Sequence, residues 1–255
     1  YDRLTDTGRI LAVIGSESGR VEGLAQGETG ALLLSATPFY GEKGGQVGDT
    51  GRWIADDGEW QVTDTRIPAE GLILHYGRVL RGRIRTGQTL TGEVEVARRA
   101  AIARHHTATH LLQFALREVV GPAVKQAGSF VSADRLRFDF NYFQALTPDQ
   151  LSRVEARVNE LIVRNDPVTL RQMALKDVPG SGIIALFDEK YGEQVRVVEV
   201  GDYSRELCGG THVTSTGTLG SFRILTESSI ASGVRRIEGV AGLPAYALAA
   251  HDGDC

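Results

Sequence analysis

Two short clusters in this chain carry side chains that bind metals: His106-Thr107-Ala108-Thr109-His110 and, far along the sequence, Cys208-Gly209-Gly210-Thr211-His212. Each holds two metal-capable residues four positions apart. On a helix that spacing stacks both side chains on one face, within reach of a single ion. Together the clusters offer three imidazoles and one thiolate, a donor set typical of zinc. Four protein ligands argue for a closed structural site, because catalytic zinc usually keeps one position for water. Glycines beside Cys208, and the absence of tight Cys-x-x-Cys knuckles, argue for a site that can admit substrate. The residues leave both open. A metalloprotease is disfavoured, since the helix lacks the glutamate of His-Glu-x-x-His. His105 is rotated by roughly 100° from His106 on a helix and reads as a neighbour, not a ligand.

Other polar residues could serve a pocket. Gln126-Ala127-Gly128-Ser129 is expected where the chain turns from the histidine helix into the next strand, with Gln126 either orienting water or an acyl group or stabilising the turn. Gly44-Gly45-Gln46, followed by Asp49-Thr50-Gly51, is either a hairpin turn or a loop closing over a ligand, since glycine permits close backbone approach.

The elements that must position these residues fall into two patterns. Residues 1–96 hold short apolar runs (Arg9–Ile14, Ala31–Ser35, Trp60–Val62, Gly71–Val79, Thr91–Val96) punctuated by Gly-rich turns roughly every 8 to 12 residues, the pattern of a β-barrel or sandwich. Arg78–Arg85 is basic and β-like, and is expected to be a solvated edge strand. From Ala97 onward apolar residues recur at helical spacing until Gly121-Pro122, placing His106 and His110 one turn apart. A strand is expected at Arg135–Phe140. Thr147-Pro148-Asp149-Gln150 reads as a capping box opening a helix that ends at Asn165-Asp166-Pro167. Val168–Ala174, Val195–Val200 and Ser221–Thr226 read as strands. The fold class is therefore α+β, a β-barrel-like domain over 1–96 followed by an α+β domain over 97–255. His251 and Cys255 lie at a chain end rich in Asp and Gly and are expected to be disordered.

Bulk composition narrows the function classes. No stretch of 18 apolar residues is present, so a membrane span is not expected. With two cysteines, Cys208 and Cys255, a disulfide framework is not expected, which suits a reducing, cytoplasmic setting. A net charge of −4 makes the chain no general polyanion binder; a nucleic-acid partner needs a local basic patch, such as Arg98, Arg99 and Arg104 could make. The first residue, Tyr1, is that expected of a piece cut from a longer chain.

Several stretches, in order, resemble the editing region of alanyl-tRNA synthetase: Thr37-Pro38-Phe39-Tyr40, Gly44-Gly45-Gln46, His106–Leu112, Leu136–Phe140, Leu186–Gly192, Glu206–Val213 and Gly233–Glu238. The similarity runs from Tyr1 to about Ala245. The zinc ligands alone are less specific, being shared with the threonyl-tRNA synthetase editing domain and with freestanding AlaX-type deacylases. Lys43, Ser181–Ile184 and Asp188 depart from the family's more usual residues. The resemblance implies hydrolysis of Ser-tRNA(Ala) and Gly-tRNA(Ala), with His106, His110, Cys208 and His212 binding Zn2+. It implies an editing pocket that includes Gln126, with Gly44, Gly45 and Gln46 in the loop beside it. Thr109, Gln126 and the Glu42–Gln46 loop are candidates for reading the serine hydroxyl, and Arg98, Arg99 and Arg104 for contacting the tRNA acceptor stem. The implied partners are the tRNA(Ala) acceptor end and the aminoacylation and C-terminal domains of a parent synthetase. The alternatives are an AlaX-type deacylase and a structural zinc module that binds tRNA without hydrolysing it.

Overall fold

The computed structural model of the chain describes residues 3–185 and 192–252. Leu186–Tyr191, which includes Asp188 and most of one family-like stretch, lies outside the described residues, as do Tyr1, Asp2 and Cys255. The chain forms two compact units, Tyr1–Lys43 with Val47–Arg99, and Gly44–Gln46 with Ala100–Cys255. The tripeptide Gly44–Gln46 thus groups with the second unit and not with the residues that flank it.

The first unit is built from β1 (Thr5–Gly15), β2 (Gly19–Val21), β3 (Gly23–Ala25), β4 (Thr29–Leu34), β5 (Gly51–Ala55), β6 (Gly58–Ala69), β7 (Leu72–Arg85) and β8 (Thr89–Val94). All pairings are antiparallel. The order β1-β4-β7-β6-β5-β8 closes on itself because β1 also pairs with β8, giving a six-stranded barrel with β2 and β3 as short additions to β1 and β7. Closure is possible because β1 serves two neighbours. Thr5–Arg9 pairs with β8, and Ile10–Gly15 pairs with β4 with a bulge between Ile10 and Ala12. Strict alternation on β8 sends Leu90 and Val94 inward. They join Ile10, Val13, Leu32, Trp53, Trp60 and Ile84 in the core. Gly92 is required there, since a Cβ would lie 2.7 Å from the Trp53 ring.

Two expectations change here. Arg78–Arg85 is no edge strand: this half of β7 pairs with β6 on one side and with β3 on the other, and its arginines are the outward residues of a closed barrel. The run Thr91–Val96 ends at Val94, because Val96 already begins a helix.

The second unit contains α1 (Val96–Val119), whose first residues belong to the first unit, then β9 (Gln126–Val131), β10 (Leu136–Asn141), α2 (Pro148–Arg164), β11 (Val168–Ala174), β12 (Gln194–Val200), β13 (Ser204–Leu207), β14 (Phe222–Ala231), β15 (Val234–Ala241) and α3 (Leu243–Asp252). Strands β14-β15-β10-β9 form one antiparallel sheet and β11-β12-β13 another. Thr147 caps α2: its hydroxyl accepts from Gln150 N at 3.2 Å, while Gln150 Oε1 accepts from Thr147 N at 2.9 Å. Asn165 closes α2 in the left-handed conformation at φ 54°. Val154, Val158 and Leu161 of α2 meet Leu111, Leu112 and Ala115 of α1 and Phe138 of β10 in a continuous core. Gln126–Ser129 is a strand, not a turn, because it pairs with β10. The backbone at His251 is helical within α3, not disordered.

One buried titratable group makes the barrel pH-sensitive. His75 is fully buried between Phe39 and Trp53. Its Nδ1 faces Leu32 O at 3.2 Å and its Nε2 faces the Thr37 hydroxyl at 2.7 Å. Burial pushes its pKa from 6.5 down to about 4, although the Leu32 carbonyl acts the other way. Between those values the unfolded chain binds the proton and the folded chain does not. Stability is therefore full above about pH 6.5 and falls as pH drops toward 4, by roughly 3 kcal/mol from this group. Urea unfolding followed through the fluorescence of Trp53 and Trp60, the chain's two tryptophans, should show His75→Gln losing about 2–3 kcal/mol less than wild type between pH 7 and pH 4.5. Equal losses in the two proteins would contradict this.

Candidate metal centre

Helix α1 places His106 and His110 one turn apart, with ring centroids 5.5 Å from each other. The loop after β13 brings His212 against both, at centroid distances of 4.4 and 5.0 Å. Cys208 Sγ lies 3.2 Å from His106 Nε2 and 3.2 Å from His212 Nε2. The four candidate donor atoms all lie within 4.8 Å of one another. A tetrahedral ion with N and S ligands at about 2.1 and 2.3 Å needs donor pairs about 3.3–3.6 Å apart. The two Sγ–Nε2 distances already approach this.

Each imidazole is braced through its other nitrogen. His106 Nδ1 is 2.6 Å from Gln46 Oε1, an acceptor, so Nδ1 carries the proton and Nε2 keeps its lone pair. His110 Nδ1 is 3.1 Å from Glu206 Oε2. His212 Nδ1 is 3.1 Å from the Thr107 hydroxyl, which also accepts from Val213 N. Gln46 is itself fixed: its Oε1 accepts from Thr211 N at 2.8 Å and its Nε2 donates to the Thr211 hydroxyl at 3.0 Å.

The electrostatics suit a cation. Burial pushes the Cys208 thiol up, but the adjacent His106 and His212 imidazoles outweigh it and hold the pKa well below the ordinary thiol range. Burial pushes His212 down to about 3, keeping it neutral and able to ligate. For His110, burial is opposed and outweighed by the Glu206 carboxylate and by Cys208, so its pKa lies well above the ordinary value and an incoming ion must displace the proton on its ligating nitrogen.

Close approach of the two segments depends on glycine. A Cβ on Gly210 would lie 1.9 Å from His106 Cε1, and one on Gly45 would lie 2.4 Å from Ser129 O. Gly45 also adopts φ 82°, which favours glycine. Arg196 of β12 fastens the cysteine loop from outside, donating to the carbonyls of Cys208, at 2.9 Å, and Gly210.

A cleft of about 790 Å³ in the same unit is lined by Gly44, Gly45, Gln113, Arg117, Gln126 and Ser129, among others. The four donor residues do not line it. They connect to it through Gln46, next to Gly45, and through α1, where Gln113 lies one turn beyond His110.

The remaining candidates fall as follows. Gln126 faces the cleft and donates to the Ser129 hydroxyl at 3.2 Å. Thr109 does not line the cleft; its hydroxyl donates to the His105 carbonyl one turn back, at 2.9 Å. Gln46 braces His106 and does not line the cleft. Arg99 is buried on Asp49 and Pro38 O within the first unit, so its guanidinium is structural, not a tRNA contact. Arg98 donates to Gly48 O at 2.8 Å and Arg104 to Thr218 O at 3.3 Å, both half-buried. His105 is buried with Nδ1 against Ser132 O, outside the donor set. Thr107, Glu206, Thr211 and Arg196 were not singled out by the sequence reading. Thr107 and Thr211 sit inside the two motifs and Glu206 two residues before the cysteine, so proximity was their one signal.

Comparison with known proteins bears on this geometry. A family model described as "Threonyl and Alanyl tRNA synthetase second additional domain" matches residues 195–238, the segment holding Cys208 and His212. A second, "tRNA synthetases class II (A)", matches residues 1–98. Alanine–tRNA ligase 1 of Lachnoclostridium phytofermentans is 47% identical over 240 residues, 94% of this chain. The chain is a homologue of the alanyl-tRNA synthetases. Alanine–tRNA ligases of Pelotomaculum thermopropionicum and Carboxydothermus hydrogenoformans are likewise 47% identical, over 95% and 96% of the chain. The chain spans about a quarter of the length of these relatives, 27–28%. The similarity to alanine–tRNA ligases thus extends through both units.

The glycine requirement gives a direct prediction. Gly210→Ala should leave far-UV circular dichroism unchanged but weaken metal binding by at least about tenfold, because His106 must move. Wild-type affinity in this variant would show that the loop does not approach His106 as closely as described.

Proposed function

We propose that this segment is the editing part of an alanine–tRNA ligase, acting in the cytoplasm to hydrolyse the ester of Ser-tRNA(Ala) and Gly-tRNA(Ala). In this reading residues 1–96 form the barrel domain and 97–255 a zinc-dependent editing domain. The observation that carries it is the convergence of three imidazole nitrogens and one sulfur, each imidazole braced by a separate acceptor, in a homologue of alanine–tRNA ligases.

The donor chemistry fits zinc, and His106, His110, Cys208 and His212 would hold it. When bound, zinc supplies Lewis acidity to an ester carbonyl or to water. Gln46, Glu206 and Thr107 keep the three Nε2 atoms facing Cys208. The cleft lined by Gly44, Gly45, Gln126 and Ser129 would receive the aminoacyl end, with Gln126 and Ser129 presenting an amide and a hydroxyl to the serine side chain. Arg98, Arg104 and Arg117 would meet the phosphates of the tRNA(Ala) acceptor end. The parent synthetase's aminoacylation and C-terminal domains would be the other partners.

The selectivity problem explains such a pocket. A synthetic site shaped for alanine cannot exclude the smaller glycine and rejects one added hydroxyl weakly. A second pocket that binds the serine hydroxyl leaves polar groups unpaired when alanine enters, at a cost of roughly 1–3 kcal/mol.

Deacylation of Ser-tRNA(Ala) and Ala-tRNA(Ala) by the purified chain, with and without a chelator, tests the proposal. Turnover of Ser-tRNA(Ala) should exceed that of Ala-tRNA(Ala) and vanish on chelation. Cys208→Ala should lose both zinc and activity, whereas unchanged turnover in a zinc-free Cys208→Ala protein would defeat the catalytic claim. Gln126→Ala should narrow the serine-over-alanine preference by about tenfold. An unaltered preference would remove Gln126 from the specificity role.

A further inference from the structure

Glu206 is a buried carboxylate where the strand pattern calls for an apolar residue. On β13, Ser204 and Glu206 point inward while Arg205 points outward. An ionised carboxylate in such a place loses hydration worth several kcal/mol unless partners replace it. Two groups do so. Glu206 Oε1 accepts from the Ser204 hydroxyl at 3.0 Å, and Oε2 lies 3.1 Å from His110 Nδ1. The other two imidazoles face neutral acceptors, the Gln46 amide oxygen and the Thr107 hydroxyl. Glu206 is therefore the charged brace of the three. A divalent ion held by one thiolate and three neutral imidazoles leaves a net positive charge in a buried setting, and a carboxylate 3.1 Å from a ligating imidazole offsets it. Glu206 lies outside the cleft lined by Gln126 and Ser129, and lines instead a smaller one of about 440 Å³. It acts through His110.

We propose that Glu206 is a positioning residue that sets the metal affinity of the centre, by holding His110 with Nε2 toward Cys208 and by supplying the compensating negative charge. This rests on reading the centre as a zinc site. The same short stretch, Ser204–Cys208, thus contributes one ligand of its own and governs a second ligand on α1.

Zn2+ affinity of the intact chain, measured by competition with a chromophoric chelator, tests this in wild type, Glu206→Gln and Glu206→Ala. Glutamine keeps an acceptor oxygen for the His110 Nδ1 proton but removes the charge; alanine removes both. The expected affinities are about tenfold weaker for Glu206→Gln and about 100-fold weaker for Glu206→Ala. With saturating Co2+, the thiolate charge-transfer absorption should persist in both, because Cys208 still ligates. Affinities within twofold of wild type in both variants would overturn the proposal. If Glu206→Ala does not fold, Glu206→Gln decides alone by the same criterion. A wild-type chain that binds no Zn2+ would overturn this inference and the functional reading together. Zn2+ binding that depends on Glu206 in a chain that does not deacylate Ser-tRNA(Ala) would defeat the functional reading alone.

Discussion

An imidazole presents a lone pair to a metal from one nitrogen only if the other holds the proton, and much of the second unit serves that requirement. Gln46, Glu206 and Thr107 reach His106, His110 and His212 from three separate elements. Each brace imposes a demand of its own. Gln46 reaches His106 because Gly45 sits against the Ser129 carbonyl and Thr211 holds the amide from both ends. Thr107 reaches His212 because it stands on α1 between His106 and His110, where the loop after β13 packs. Glu206 reaches His110 because β13 turns it inward.

The same constraint accounts for the loop that carries the cysteine. Cys208 N donates to Arg196 O at 3.0 Å, continuing the β12–β13 pairing past the end of β13, and the Arg196 side chain returns to the Cys208 and Gly210 carbonyls. Buried carbonyls without partners would be costly, so this clamp both stabilises the loop and fixes where the sulfur stands. Beneath it, Cys208 and Val213 pack against the core shared by α1, α2 and β10. A flexible-looking Gly-Gly pair is thereby held from above by hydrogen bonds and from below by apolar contact.

What was legible in the sequence was local chemistry with a fixed repeat. The spacing of His106 and His110, the Thr147 capping box and the alternation in Leu136–Phe140 each follow from a single element's geometry, and each element is present. What was not legible depended on partners remote in sequence. Arg78–Arg85 looked like an edge strand because nothing local says that β1 pairs with both β4 and β8 and closes a barrel. Arg99 looked like a surface cation because Asp49, its buried partner, is many residues away. Thr109 carries the same hydroxyl as Thr107, and only the rotation of α1 decides that one braces His212 while the other bonds back to the helix. Glu206 was not legible as a brace because no sequence pattern ties it to His110.

X-ray absorption at the zinc K-edge of the zinc-loaded protein tests the central geometry most directly. Three nitrogen neighbours near 2.0–2.1 Å and one sulfur neighbour near 2.3 Å are expected. A shell of light atoms without sulfur, or one with several sulfurs, would contradict the convergence of His106, His110, Cys208 and His212 on one ion.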